Sequence, residues 1–548
     1  MHIDYCTSKQ NGKIYHSILL RHTYRISKNK VQHKTLLNLT NFPKEEIEAL
    51  DFALKHKKDL PELLTQKLKR KLGKSFGAVF FIKEIIKKLS IDKALGNTKS
   101  GKLAQFQLIA RVINQGSRLS AIRMANQQAI CEVLGIEDET TEDSLYKNLS
   151  WLMNNQGLIE KKLFALQHKT KPEIFLYDVT SSYFEGQQNE LADWGYNRDK
   201  KNGKKQVVAG LLCDEQGIPM AIRLFKGNTL DFKTVSEQIK QITGDFGCER
   251  VTFVGDRGMI KTTQIKELDE ADFFYITAIT KPQIEALLKE SIISMSLFDS
   301  ELKEVSHEGI RYILKRNPAR VEDLNRMRQQ KREKVEKICK IKNIYLKEHA
   351  KAKPEFAIRE INEKIDKLKI DKWLHVELAN LSERELVLVE DESARKKEAE
   401  FDGCYVIKSN LSEEVPKEII HGRYKDLSLV EQGFRCLKTD FLEMRPWFVR
   451  KEESTRGHAL IAMLSYMIIK YLKEVWKSEN IKVEEGIRLL NSLSLLELSW
   501  NEEIKYYEVP EPNDQMQKLL NLAGVKLPDT VPYKKVNVYN RVKLSRKA

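Results

Sequence analysis

Cysteine is sparse in this chain and shows no pairing pattern. Seven cysteines are scattered over 548 residues, at Cys6, Cys131, Cys213, Cys248, Cys339, Cys404 and Cys436. The number is odd and no CxxC pair occurs, which argues against a structural zinc. Free thiols fit a reducing cytoplasm. The first residues, Met1 to Lys13, lack the apolar core of a secretion signal. Long apolar runs are absent too. The most apolar helical stretch, Ala459 to Leu472, is too short and interrupted to cross a bilayer, so no membrane partner is expected.

What is present is length and positive charge. A chain of 548 residues implies several structural units, and an apolar fraction of 41% is enough for sizeable cores. The formal net charge is +16. Such an excess says little about fold but favours a polyanionic partner, with DNA or RNA the first expectation.

Three acids stand out by their surroundings. The run Ile174, Phe175, Leu176, Tyr177 reads as a buried strand, and Asp178 follows it among β-prone residues. A carboxylate in a buried strand is costly unless a positive charge compensates it, and a divalent cation is the obvious candidate. Asp256 ends a second apolar run, Val251 to Val254, between Gly255 and Gly258, where backbone can approach a ligand closely. Glu431 lies in a helical pattern with Leu427, Val430, Phe434, Leu437 and Lys438, on or beside the inward face. Two strand acids and one helix acid suit a hard-cation site with positions left for phosphate oxygens. The plainer alternatives are turn or cap roles for Asp178 and Asp256, and a surface pair between Glu431 and Arg435.

In chain order, residues 1–75 form a small basic N-terminal region with short β runs at Ser17 to Arg21 and Thr35 to Leu39. Arg21, Arg25, Lys28, Lys30 and Lys34 alternate there with His22 and Tyr24. This segment either tracks a phosphate backbone or is a solvated hairpin face. Residues 76–168 read as helices with Arg118, Arg123 and Lys147 between them, either a DNA-binding module or a plain bundle. Thr140 and Asp143 resemble a capping box. Residues 170–289 read strand, strand, strand, helix, strand, helix, strand, the order of a ribonuclease H-like α/β core with a mixed sheet. In such a core the first and fourth strands are neighbours, which would bring Asp178 and Asp256 together. Asn228 and Asp231 read as caps of the helix opened by the GNTLDFKT segment. Residues 290–400 interrupt the core with a helical hairpin whose seam is Ile358, Ile361, Ile365 and Leu368. It is a solvated hairpin or a DNA clamp, and Trp373 beside it has no evident role. The core resumes over 401–475. Residues 476–548 read as an irregular extension with a basic tail.

Around the third acid the sequence resembles bacterial insertion-sequence transposases of the DDE type, in the insertion sequence 4 superfamily and its 1634-like branch. That family's pattern is Tyr, two residues, Arg, three residues, Glu, six residues, Lys. Tyr424, Glu431 and Lys438 fall at these spacings, and Leu427 occupies the Arg position. Arg423 or Arg435 is the neighbour able to supply that charge. The stretch from Gly195 to Thr234, the GDRGM segment, and MRPWFV followed by RGH are also similar to the family.

The resemblance implies an enzyme that binds terminal inverted repeats and catalyses metal-dependent DNA strand cleavage and strand transfer. Asp178, Asp256 and Glu431 would hold two Mg²⁺ ions, with Mn²⁺ as a substitute, Asp178 bridging them. Tyr424, Lys438 and Arg435 would contact DNA. His458, at a helix start, reads as structural or functional with equal weight. The partners implied are double-stranded repeat and target DNA and a second copy of the chain, in a bacterial cytoplasm at the nucleoid. Two other readings remain, a ribonuclease H-like nuclease without strand transfer and a catalytically inactive DNA-binding relative.

Overall fold

The computed structural model describes residues 1–10, 13–27, 30–55, 57, 69–136, 139–186, 188–196, 198, 201, 203–380, 384–440, 442, 444, 447, 449–500 and 504–531. Lys28, Arg445 and the basic tail from 532 onward lie outside the described residues. The chain divides into two compact units.

The smaller unit is built on Met1–Lys74 and Ser494–Glu511. Its first sheet is an antiparallel meander of His2–Gln10, Lys13–Ser27 and Lys30–Asn38. A helix, Lys44–Lys55, packs Ile47 with Ile3 and Leu39 against Ile18 and Leu20. A second sheet pairs Lys69–Ser75 with Ser494–Trp500, Ile504–Glu508 and Thr530–Val531. The stretch after 476 is therefore more regular than the sequence predicts. Helices Val483–Asn491 and Asp514–Leu522, from the same stretch of sequence, belong to the larger unit. The short amphipathic set Val483, Ile487 and Leu490 supplies the buried face of the first.

The larger unit carries an eight-stranded mixed sheet. Its strands are β1 (Ile174–Tyr183), β2 (Gln206–Asp214), β3 (Pro219–Lys226), β4 (Thr252–Gly255), β5 (Phe274–Ala278), β6 (Lys303–His307), β7 (Ile310–Arg316) and β8 (Cys404–Ser409). The spatial order is β6-β7-β8-β5-β4-β1-β2-β3. Strands β1 to β3 are antiparallel, β4 pairs parallel with β1, and β5 pairs parallel with β4. This is the ribonuclease H-like arrangement, with β1 and β4 adjacent. Every residue of β2 is buried, as expected for an interior strand covered on both faces. The turn after it uses Gly217 at φ 73, with Asp214 Oδ1 accepting from the N–H groups of Gln216 and Ile218. Two strands, β6 and β7, come from the 290–400 stretch and extend the sheet beyond β8.

The helices of 76–168 share their core with this sheet. They include α1 (Lys99–Ile113), α2 (Arg118–Ala125), α3 (Glu142–Asn154) and α4 (Gln156–Gln167). The cap of α3 is Thr141 with Ser144, one residue later than the Thr140–Asp143 pair read from sequence. Thr140 is buried instead. On α4, buried Glu160 accepts hydrogen bonds from Gln156 at 2.8 Å, Arg223 at 2.9 Å and Gln241 at 2.7 Å. Burial pushes its carboxyl up, and Arg223 opposes the shift. This network ties α4 to β3.

After β7 the chain runs through α5 (Pro318–Glu348) and α6 (Pro354–Leu368), which pack on each other. Ile361 and Ile365 are buried, and Ile358 and Leu368 flank them. Trp373 is fully buried in this same cluster. A two-stranded sheet, Leu374–Asn380 with Glu385–Glu390, completes it. This hairpin is not expected from the sequence: its first strand mixes polar and apolar residues, and the apolar run of its second, Leu386 to Val389, is only four residues long.

Following β8 come α7 (Lys417–Lys425), α8 (Leu427–Arg435) and α9 (Glu452–Val475). Helix α9 is apolar nearly all round because it is central: Leu460, Ile461, Met463, Leu464, Ile468 and Ile469 are inaccessible. It packs on α1, α3 and β3. Among the described residues no helix is long and apolar enough to cross a membrane. Gly457 permits a close approach to α3. A β-carbon there would lie 2.1 Å from the Leu149 carbonyl oxygen on α3. Gly457→Ala is expected to lower the denaturant midpoint, costing about 2 kcal/mol or more through overpacking against backbone. Gly157→Ala, where nothing lies within 4 Å, is expected to leave the midpoint unchanged or raise it.

Candidate active site

Strand pairing brings the first two acids together. In the parallel β1–β4 ladder Tyr177 lies opposite Gly255, so Asp178 and Asp256 are the next residues on two adjacent strands. Side chains alternate along β1. Phe175, Tyr177 and Val179 enter one core, whereas Leu176 faces the other. Asp178 shares the face of Leu176, and α8 packs against β1. Helix α8 buries Leu427, Val430 and Phe434, and Glu431 is exposed beside that apolar face.

The charges of Asp256 and Glu431 reach Asp178. Burial pushes the Asp178 carboxyl up to about 6, and the charges of Asp256 and Glu431 add to the shift. The Val179 N–H, donating to Asp178 Oδ1 at 2.8 Å, and the Arg198 guanidinium oppose it. Among the described residues no three His, Cys, Asp or Glu side chains converge tightly enough to hold one ion. The donor chemistry still fits a hard divalent cation: carboxylate oxygens only, one of them half-buried and under-compensated.

Tyr424, Glu431 and Lys438 do not share one continuous helix. Tyr424 lies in the last turn of α7, and Asp426 separates α7 from α8. Lys438 sits in a π-helical turn, Cys436–Asp440. They reach the site all the same. Tyr424 Oη donates to Asp256 Oδ1 at 3.2 Å. Burial and the Asp256 charge push that phenol well above its ordinary value. Lys438 Nζ donates to Thr180 Oγ1 at 2.6 Å and to the Ser181 carbonyl, two and three residues past Asp178. Leu427 is buried. Arg423 pairs with Asp426 at 3.4 Å, and Arg435 is exposed on the last turn of α8.

The segment after Lys438 is pinned by buried polar groups. Arg111 donates to the Leu442 carbonyl at 3.3 Å, and His458 Nε2 lies 3.3 Å from the Met444 carbonyl. Arg118 Nη2 lies 3.2 Å from His458 Nδ1. Trp447 Nε1 donates to Ser182 Oγ at 3.1 Å, and Asn189 to the Val449 carbonyl at 3.0 Å. Burial, with Arg111 and Arg118 nearby, holds the His458 pKa well below its ordinary value. His458 is thus a structural group. Arg118, read from sequence as lying between the helices of either a DNA-binding module or a plain bundle, is buried beside it, whereas Arg123 and Lys147 are exposed.

Arg198 was not singled out from the sequence. It lies in the loop between β1 and β2, where its guanidinium bonds the Val179 carbonyl and the Asp231 carboxylate. Its N–H donates to Ser181 Oγ at 2.8 Å. Asp231 engages Arg198 and makes no side-chain cap, which corrects its reading as a helix cap. Its Oδ2 is 3.7 Å from where a Gly258 β-carbon would stand, beside the Asp256 loop. The available signal was one arginine in a lysine-rich run, which no spacing connects to a distant aspartate.

The Asp178 shift has a consequence for stability. Its folded-state pKa is raised, so the stability held by the protonated form is complete below about 4. It is lost as pH rises through about 6. Asp178→Asn is therefore expected to raise the melting temperature in EDTA at pH 8 and leave it nearly unchanged at pH 4. Scanning calorimetry at both pH values checks this, and equal changes at both would contradict the electrostatic account.

Residues 169–468 match the family model of the transposase DDE domain. Residues 3–65 match that of the IS1634 family transposase N-terminal domain. Curated proteins give no significant match. A solved structure, the piggyBac transposase synaptic complex with hairpin DNA, is 10% identical. It aligns with a TM-score of 0.36 over 78% of this chain and 82% of that one. Since the DDE model spans more than half of the chain, the protein belongs to the DDE transposase family.

Proposed function

We propose that Asp178, Asp256 and Glu431 are the carboxylates with which this transposase cuts DNA at the terminal inverted repeats of a 1634-like insertion sequence and joins the freed ends to target DNA. The observation that supports the assignment is the β1–β4 register, which sets Asp178 in β1 beside Asp256 at the end of β4, with the helix of Glu431 packed on β1.

Asp178, Asp256 and Glu431 would hold two divalent ions, Mg²⁺ with Mn²⁺ as a substitute. When bound, they supply Lewis-acid stabilisation of the attacking and leaving oxygens in an in-line displacement. The chain's own groups prepare the rest. Tyr424 holds Asp256 Oδ1 by its hydroxyl and leaves Oδ2 free to ligate. Arg198 keeps a positive charge beside Asp178 and fastens the loop before β2 to β1. Lys438 places an ammonium next to the scissile phosphate, exchanging its Thr180 and Ser181 partners for phosphate oxygens. Arg435 contributes at the exposed end of α8, replacing the charge that Leu427 does not provide.

In the first step a water oxygen bonds to phosphorus, the bond to the 3′ oxygen breaks, and a 3′-hydroxyl leaves. In the second that 3′-hydroxyl bonds to a target phosphorus and displaces another 3′ oxygen. Pairing two element ends calls for at least two copies of the chain, so a homodimer is the active species, at work on bacterial nucleoid DNA.

The test is strand cleavage on a duplex carrying the element's terminal repeat, with Mg²⁺ or EDTA. Wild type should cut only with metal. Asp178→Ala, Asp256→Ala and Glu431→Ala should each lower the rate at least about a hundredfold, with repeat binding retained. A substituted protein cutting at the wild-type rate would show that its acid is misassigned. Wild type binding without cutting, even in Mn²⁺, would leave a DNA-binding protein only.

A further inference from the structure

The N-terminal sheet contains a segment its own core does not use. Strand Lys13–Ser27 and its partner Lys30–Asn38 extend past the helix-covered residues Ile18 and Leu20 as a two-stranded antiparallel ribbon. From Arg21 to Thr35 the sequence holds Arg21, Arg25, Lys28, Lys30 and Lys34 and no acidic residue. The ladder sets Thr23 opposite His33 and Arg25 opposite Val31 on one face. It sets His22 opposite Lys34 and Tyr24 opposite Gln32 on the other. Residues 22 to 25 and 31 to 35 are all exposed. Arg21 is engaged by Asp4 at 2.6 Å, which leaves Arg25 as the exposed described arginine of the ribbon.

We infer that this ribbon is the element that reads the terminal repeat, by entering the major groove of duplex DNA. The inference rests on the reading of the chain as a protein that acts at its own repeats. Two strands lie about 4.8 Å apart, and the major groove is about 12 Å wide and admits such a ribbon. The exposed described cations Arg25 and Lys34, with no acidic residue between 22 and 35, match the phosphates along the groove. One face is favoured for the bases. Helix Lys44–Lys55 covers the face of Ile18 and Leu20, the face that His22 and Tyr24 continue, and its bulk would hold DNA away at the ribbon's base. The opposite face carries Thr23, Arg25, His33 and Thr35. Thr23 Oγ1 and His33 Nδ1 are already paired at 2.9 Å, so these two side chains are fixed in position. An arginine and a cluster of hydroxyl and imidazole groups are what guanine and adenine edges accept.

The experiment is fluorescence anisotropy with the full chain in EDTA. It compares a duplex carrying the terminal repeat with a scrambled duplex of equal composition, across a salt series. Arg25→Ala/His33→Ala is compared with wild type and with Lys44→Ala, a basic residue on the covering helix. Circular dichroism checks that each variant is folded. The ratio of repeat to scrambled affinity should fall at least about tenfold in the double variant. Affinity for the scrambled duplex should change only a few-fold, and Lys44→Ala should keep the wild-type ratio. Retained preference, equal weakening on both duplexes, or no preference in wild type would each overturn the inference. At saturating protein with Mg²⁺, the double variant should still cut the repeat duplex. Cleavage absent even in wild type would fault the catalytic assignment and leave the binding result standing.

Discussion

The parallel pairing of β1 with β4 is the constraint on which the site depends. Tyr177 opposite Gly255 fixes Asp178 and Asp256 as neighbours. A slip of one residue in either strand would turn the acids to opposite faces. The register is held by burial on both sides: Leu176 and Val254 in one core, Phe175, Tyr177 and Phe253 in the other. The sequence distance between the acids is spent on β2, β3 and their connections. Those strands give the sheet the width that keeps β1 interior.

Collecting carboxylates in a half-buried place is unfavourable, and the upward shift of Asp178 is the trace of that cost. The surrounding fold offsets it in part. Arg198 is brought over β1 by Asp231, Lys438 is tied to Thr180, and the chain after Lys438 is fastened by Arg111, Arg118, His458 and Trp447. Helix α9 ties these fasteners together because it packs on the N-terminal helices and on the sheet at once. The helices of 76–168 therefore support the site from behind. Removing their buried arginines would act on Lys438 at a distance.

Much of the core was legible in the chain. Apolar runs ending in Asp178 and Asp256 announced their strands, and the order of strands and helices was enough for the topology. The 3-4 spacing of Leu427, Val430 and Phe434 placed Glu431 beside the buried face. What the pattern concealed was tertiary. Continuing the helix of Glu431 to Lys438 failed at the π turn, since Cys436–Asp440 carries no Gly or Pro. Arg118 looked like a surface cation because a buried arginine differs from an exposed one only in its neighbours. Asp231 looked like a cap because its partner, Arg198, is held near it by the sheet and not by spacing. Strands β6 and β7 were absorbed into the helical stretch that follows them.

A metal-specificity switch tests the central claim most directly. In Asp178→Cys and Asp256→Cys, a soft thiolate replaces a hard carboxylate. If both acids ligate the ions used in cleavage, each variant should be inactive in Mg²⁺ and regain cleavage of the repeat duplex in Mn²⁺ or Cd²⁺, with wild type active in Mg²⁺. Variants that fold and bind the repeat but show the same residual rate in every metal would contradict the account, because Asp178 and Asp256 would then act without touching the ions.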